Sequence, residues 1–211
     1  MTVSTMDFNA FVLSHLPPPP ARVLEVGCGR TGELALALSA AGYDVIAIDP
    51  RAPQGPIFRQ VALDELEDPG PFGAAIAGRV LHHVEPLGPA VEKLALLAPL
   101  LLVDEFAWDR LDTPTKEWYE RQHRTLTAAG AEPSGPADLN LWREEHADLH
   151  PSGVVRAALA EEFEERAYED RPYFYRWLED PSSEALEEAL IDAGAIRALG
   201  YRLVLERRAR A

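Results

Sequence analysis

From Arg22 to Pro50 the chain alternates short apolar runs with small or polar punctuation, in the order strand, glycine turn, helix, strand, carboxylate. Val23 to Val26 is a β-prone run that carries Glu25 and leads directly into Gly27, Gly29 and Gly32. A backbone without side chains can turn tightly there and come close to a ligand. Leu34 to Ala41 is rich in Ala and Leu and so favours helix, Gly42 can stop it, and Val45 to Ile48 predicts a second buried strand ending at Asp49. An acidic residue about 20 positions beyond such glycines is where a fold of this layout holds ribose hydroxyls.

The pattern continues on both sides. Phe8, Phe11, Val12 and His15 recur at helical spacing behind Ser4 or Thr5 as caps, and Pro17 to Pro20 end that helix. After Asp49 the chain predicts a strand over Ile57–Val61, a polar loop, a strand over Phe72–Ala77, a helix over Pro89–Ala98 and a buried strand over Leu100–Val103 that closes on Asp104 and Glu105. Strands and helices in alternation predict an α/β fold with a parallel sheet covered on both faces. Past Phe106 helices dominate: one from a Thr113 cap to Ala129, a short one over 141–150, one over Val154–Glu162, and one over Ser182–Ala193 capped by Ser182 or Ser183. Phe163–Tyr168 reads as a strand, and Ala195–Glu206 alternates enough to be a closing strand, antiparallel and at or near the edge. The expected organisation is one domain over 1–211, with helical cap insertions over 106–195.

At 211 residues and 47% hydrophobic content the chain can bury a large core. Its 20 Lys and Arg against 35 Asp and Glu leave a formal charge of −15, which repels phosphate backbones and argues against a nucleic-acid substrate. Cys28 is the single cysteine, which excludes an internal disulfide, and its place between two glycines suggests packing against a ligand. The start has no basic segment followed by an apolar one, and no apolar run approaches the roughly 18 residues of a membrane span, so a cytoplasmic protein is expected. Oligomeric state is not legible.

The segments VLEVGCG, VIAIDP and FGAAIAGRVLHHVEPL, in that order and followed by a buried strand, resemble the class I S-adenosylmethionine-dependent methyltransferases over residues 20 to 106 plus the closing strand. The LHH segment after the fourth strand resembles the small-molecule members. The resemblance implies a Rossmann-like, doubly wound seven-stranded sheet, mostly parallel, with S-adenosyl-L-methionine across the carboxyl ends of its strands. It places Gly27, Cys28 and Gly29 against the methionine and ribose portion, with Glu25 orienting that loop or the amino group, and Asp49, followed by Pro50, on the ribose hydroxyls. It places Leu63 and Asp64 beside adenine, and Gly78 and Arg79 where a backbone carbonyl meets the methionine ammonium. The chain departs from the family in reading G-x-G-x-x-G at its first loop, which is also the dinucleotide pattern, in having Gly73 where an Asp is usual, and in having Ala98, Pro99 and Leu100 for the usual Pro-Gly-Gly.

A sulfonium methyl is already electrophilic, so the protein must supply in-line placement and, for a hydroxyl acceptor, a base. His82 and His83 follow the fourth strand, and Asp104 ends its neighbour; a carboxylate beside imidazole raises its basicity and selects its tautomer. The expectation is His82 as general base, His83 as a substrate or structural partner and Asp104 as orienter, in O-methylation of a small molecule. The alternative is that the histidines only shape the pocket. His146 and His150 stand four apart in a helical pattern but have no third metal ligand, so no metal is expected. Trp108, Trp118, Tyr119, Trp142, Tyr173, Phe174, Tyr175 and Trp177 either line an aromatic substrate pocket or form the core of the later helices. Two other functions share the layout. A nicotinamide oxidoreductase would need a Tyr-Lys acid, and neither Lys93 nor Lys116 stands in such a motif. A methyltransferase-like protein that binds the cofactor without methylating is the other.

Overall fold

The structure, a computed structural model, describes residues 7–67, 70–146 and 148–209. The chain order is α1 (Phe8–His15), β1 (Arg22–Val26), α2 (Glu33–Ala40), β2 (Asp44–Ile48), β3 (Phe58–Arg59), β4 (Ala74–Gly78), α3 (Leu87–Leu97), β5 (Leu100–Phe106), α4 (Thr113–Ala128), α5 (Leu139–Glu145), α6 (Ser152–Glu162), β6 (Phe163–Arg171), α7 (Tyr175–Leu178), α8 (Pro181–Asp192) and β7 (Gly200–Arg207), with a 3-10 turn at Leu81–His83. The strands form one sheet in the order β3-β2-β1-β4-β5-β7-β6. Pairings β1–β2, β1–β4, β2–β3 and β4–β5 are parallel, and the sheet ends in antiparallel strands. Order reverses between β1 and β4, so the connections leaving these two paired strands run in opposite directions, which in a doubly wound sheet is the usual ligand position.

Central strands β1, β2 and β4 are buried on both faces, which is why they read as continuous apolar runs. On one face Val23, Val45, Ala74, Ile76 and Leu102 pack against Phe11 and Val12 of α1 and Leu34, Ala35 and Leu38 of α2. Gly73 donates its N–H to Arg22 O at 2.7 Å.

The described residues fall into two compact units: residues up to 105 with 154–168 and 202 onward, and residues 106–153 with 169–201. Residues 154–168, within the expected cap span, therefore belong to the sheet-bearing unit. In the second unit Phe106, Tyr119, Leu139, Tyr173, Phe174, Leu178 and Leu199 form a core, with Trp108, Trp118, Trp142 and Trp177 packed on it. The Phe106 and Tyr173 rings stack at 3.9 Å. The turn that carries Tyr173 to Tyr175 is anchored by Glu187, fully buried, whose carboxylate accepts all three backbone N–H groups at 2.8 to 3.0 Å.

Several boundaries differ from the sequence reading. The Ser4 or Thr5 cap lies outside the described residues, and Asp7 caps α1. Asp112 rather than Thr113 caps α4, and Asp180 rather than Ser182 or Ser183 caps α8; a carboxylate offers two strong acceptors to the free N–H groups of a first turn. The helix read over 141–150 is α5, which stops at Glu145, so His146 and His150 do not share a helix. The Ile57–Val61 strand shrinks to Phe58–Arg59 at the sheet edge.

Candidate functional site

The glycine turn between β1 and α2 is shaped by three left-handed residues, Gly27, Gly29 and Gly32. At Gly27 (φ 79°) a Cβ would lie 2.8 Å from Val80 Cβ, so only glycine lets the β1 and β4 loops approach. At Gly29 (φ 66°) a Cβ would meet nothing within 4 Å among the described residues, so these leave the space in front of it open. The turn is tied to β2: Gly27 and Cys28 donate N–H groups to Ile48 O at 2.9 and 3.2 Å. Asp49 Oδ2 accepts from Gly29 N at 3.1 Å and Oδ1 from Arg51 N at 2.7 Å. The ribose-binding candidate thus also holds the turn, and each oxygen keeps acceptor capacity for a ligand hydroxyl.

Behind the turn sits Glu25, 6% exposed. Burial pushes its carboxyl up to about 7, a backbone hydrogen bond from Ala35 opposes this, and the Asp49 charge adds to it. Among the described residues its buried Oε2 has no hydrogen-bond partner. The Cys28 thiol is pushed up to about 12 by burial and by the Glu25 and Asp49 charges, so it is an unreactive packing group.

A cavity of about 420 Å³ opens beside this turn. Of the residues singled out from sequence, Gly27, Asp49, Pro50, Leu63, Asp64 and His83 line it. Glu25, Cys28, Gly29, Gly78, Arg79, His82 and Asp104 are not part of its wall. Gly78 packs near Phe8 of α1, where a Cβ would stand 3.2 Å from the ring. Arg79 takes a left-handed conformation (φ 55°) and donates its N–H to Asp104 O at 2.6 Å, bending the chain out of β4. The wall also includes Val80, Glu85 and Pro86, which flank the histidine pair within the same segment, and Lys93, which carries no motif of its own in sequence.

The carboxylate beside His82 is Glu105, not Asp104. His82 Nδ1 lies 2.5 Å from Glu105 Oε2, and both side chains are buried. Glu105 Oε1 accepts the N–H groups of Val80 and Leu81 at 2.9 and 2.6 Å, so one carboxylate fixes both the imidazole and the turn that carries it. Asp104 instead meets Arg202 Nε at 3.2 Å. Successive residues of a strand point to opposite faces, so Asp104 and Glu105 could not both serve His82. The alternation along β5 is legible in the sequence, but which of its two faces meets His82 is not. The His82 and His83 ring centroids are 4.2 Å apart.

Residues 7–171 match the profile of a family described as a methyltransferase domain. The chain belongs to this methyltransferase domain family. No curated protein matches its sequence at a significant level. Among solved structures, an S-adenosylmethionine-dependent methyltransferase from Mesorhizobium loti is similar with a TM-score of 0.58 at 17% identity, over 94% of this chain and 96% of that one. Geranyl diphosphate C-methyltransferase from Streptomyces coelicolor A3(2) is similar with a TM-score of 0.59 at 15% identity, over 95% and 78%. Magnesium protoporphyrin IX methyltransferase from Synechocystis PCC 6803, solved with bound S-adenosylmethionine, is similar with a TM-score of 0.53 at 18% identity, over 95% and 76%. The chain has the class I methyltransferase fold of these structures, whose names and bound ligands include S-adenosyl-L-methionine.

The residues present fit that cofactor. Open space before Gly29 and the acceptors of Asp49 suit a ribose, and the orphaned Glu25 oxygen suits a cationic or hydrogen-bonding group nearby. The Leu63–Asp64 side of the cavity gives an apolar wall against which a purine can lie. His146 Nδ1 bonds to Trp142 O at 2.8 Å, and the backbone carbonyl of His150 accepts from Trp108 Nε1 at 3.1 Å. Among the described residues no cluster of three or more His, Cys, Asp or Glu could hold a metal, and no helix is long and apolar enough to cross a membrane.

Proposed function

We propose that this methyltransferase transfers a methyl group to a hydroxyl oxygen of a small molecule, with His82 as general base held by Glu105. The observation that carries the reading is the 2.5 Å contact between His82 Nδ1 and Glu105 Oε2 at the carboxyl ends of β4 and β5. When bound, S-adenosyl-L-methionine supplies a methyl on a positively charged sulfur, ready for attack without further activation.

The remaining work falls to the chain. Glu25, Gly27, Cys28, Gly29, Asp49 and Pro50 would hold the cofactor's ribose and methionine portion, Leu63 and Asp64 its purine, and Gly78 and Arg79 its ammonium end. A proton on His82 Nδ1 donates to Glu105, which leaves Nε2 as the acceptor that takes the proton of the acceptor hydroxyl. Glu105 stabilises the imidazolium that forms, and its buried position keeps this interaction strong. His83, its ring tilted against that of His82 and part of the cavity wall, would keep the base in place. Similar structures named for geranyl diphosphate and magnesium protoporphyrin IX favour a small acceptor, and the net charge of −15 disfavours a nucleic acid.

Calorimetric titration with S-adenosylmethionine and S-adenosylhomocysteine, with NAD as control, comes first. Hydroxylated acceptors are then screened by the release of S-adenosylhomocysteine. His82→Asn is expected to keep cofactor affinity within about threefold and to lower turnover by about a hundredfold or more. Unchanged turnover would remove the base and leave positioning alone.

A further inference from the structure

Lys93 stands on α3, one turn beyond Pro89 and Ala90, and these three residues share the face that lines the cavity. Among the described residues its ammonium pairs with no carboxylate. It donates to two backbone carbonyls of the opposite wall, Asp64 O at 2.9 Å and Leu66 O at 2.8 Å, across 29 and 27 residues of sequence. Those carbonyls belong to the short turn that presents Leu63 and Asp64, whose described hydrogen bonds are otherwise local: Ala62 N to Glu65 Oε2 at 3.0 Å, and Leu66 N to Leu63 O at 3.3 Å. A local turn fixes its own shape but not its distance from α3. The Lys93 bonds set that distance, and with it the width of the cavity between Leu63 and Ala90.

We infer that Lys93 is a positioning residue that holds the Leu63–Leu66 turn at the spacing the cofactor's purine requires. The inference rests on the reading of this cavity as the cofactor site. An ammonium on a four-carbon stem suits the task, because it offers three donors that can reach two carbonyls on one turn while its methylenes cover apolar wall. With the donor removed, both carbonyls can turn to water at little cost, since the site is half-exposed, so the loss falls on the arrangement of the wall rather than on the fold.

The test compares wild type, Lys93→Met and Lys93→Arg by calorimetric titration with S-adenosylhomocysteine, with hydrogen exchange of residues 62–66 as a second readout, at a temperature where all three are folded. Lys93→Met keeps the stem and removes the donor. It is expected to weaken binding about tenfold and to speed exchange in that turn, while Lys93→Arg, which retains a cationic donor, stays within about threefold. Equal binding by Lys93→Met and wild type would overturn the inference, as would Lys93→Arg binding as weakly as Lys93→Met. If the wild type itself binds no S-adenosylhomocysteine, the reading of the cavity fails instead.

Discussion

Asp104 and Arg202 form an ion pair at 3.2 Å in which the carboxylate is 3% exposed and the guanidinium 1%. The guanidinium also lies over the Phe8 and Phe11 rings, at 5.6 and 5.3 Å, so the pair joins the end of β5 to β7 and to α1. Removing one partner of such a pair leaves a buried charge without compensation. Asp104→Ala is expected to cost about 3–5 kcal/mol of stability in urea unfolding. Arg202→Met should do likewise, and neither should change the pH dependence of turnover in whatever fraction stays folded.

Glu105 should behave in the opposite way. Glu105→Gln keeps an acceptor for the Val80 and Leu81 N–H groups but no longer offers His82 a charged partner. Turnover is expected to fall by about a hundredfold while cofactor affinity changes little. Initial rates with saturating cofactor, alongside calorimetric titration with S-adenosylhomocysteine, check this.

Glu25 makes the fold sensitive to pH. Its carboxyl rises from 4.5 to about 7 because burial disfavours the charged form, so the folded state holds its proton more tightly than the unfolded chain does. The stability this group contributes is present in full below about pH 4.5 and is lost as pH rises through 7. The shift corresponds to about 3 kcal/mol between those limits. Unfolding free energies of wild type and Glu25→Gln at pH 5 and pH 8 should differ in their pH dependence by roughly that amount. Parallel pH dependences would show that Glu25 is ionised in the folded protein throughout.

Gly27 and Gly29 share a left-handed backbone but differ in surroundings. Gly27→Ala drives a methyl into Val80 and should destabilise the fold by about 2 kcal/mol or more. Gly29→Ala meets only open space and should cost about 1 kcal/mol from backbone strain. That methyl nevertheless enters the space assigned to the cofactor, so affinity for S-adenosylhomocysteine should fall at least tenfold. Thermal unfolding and calorimetry of the two variants separate these effects.

Local chemistry made much of this protein legible. Buried parallel strands need apolar runs, so β1, β2 and β5 show directly, and the tight turn after β1 needs residues free to take positive φ, so Gly27, Gly29 and Gly32 mark it. The alternation of these elements determined the class of sheet, whereas the bond by which Asp49 ties the glycine turn showed only in the structure. What depended on relations between strands had to wait for the tertiary structure. Asp104 and Glu105 are adjacent in sequence and chemically alike, and only the facing of β5 assigns one to Arg202 and the other to His82. Lys93 carries no motif, because its partners are two carbonyls, which every residue possesses and which only folding brings within reach. A sequence specifies side-chain chemistry and local periodicity, whereas pairing across elements depends on distances that exist only once the sheet has formed.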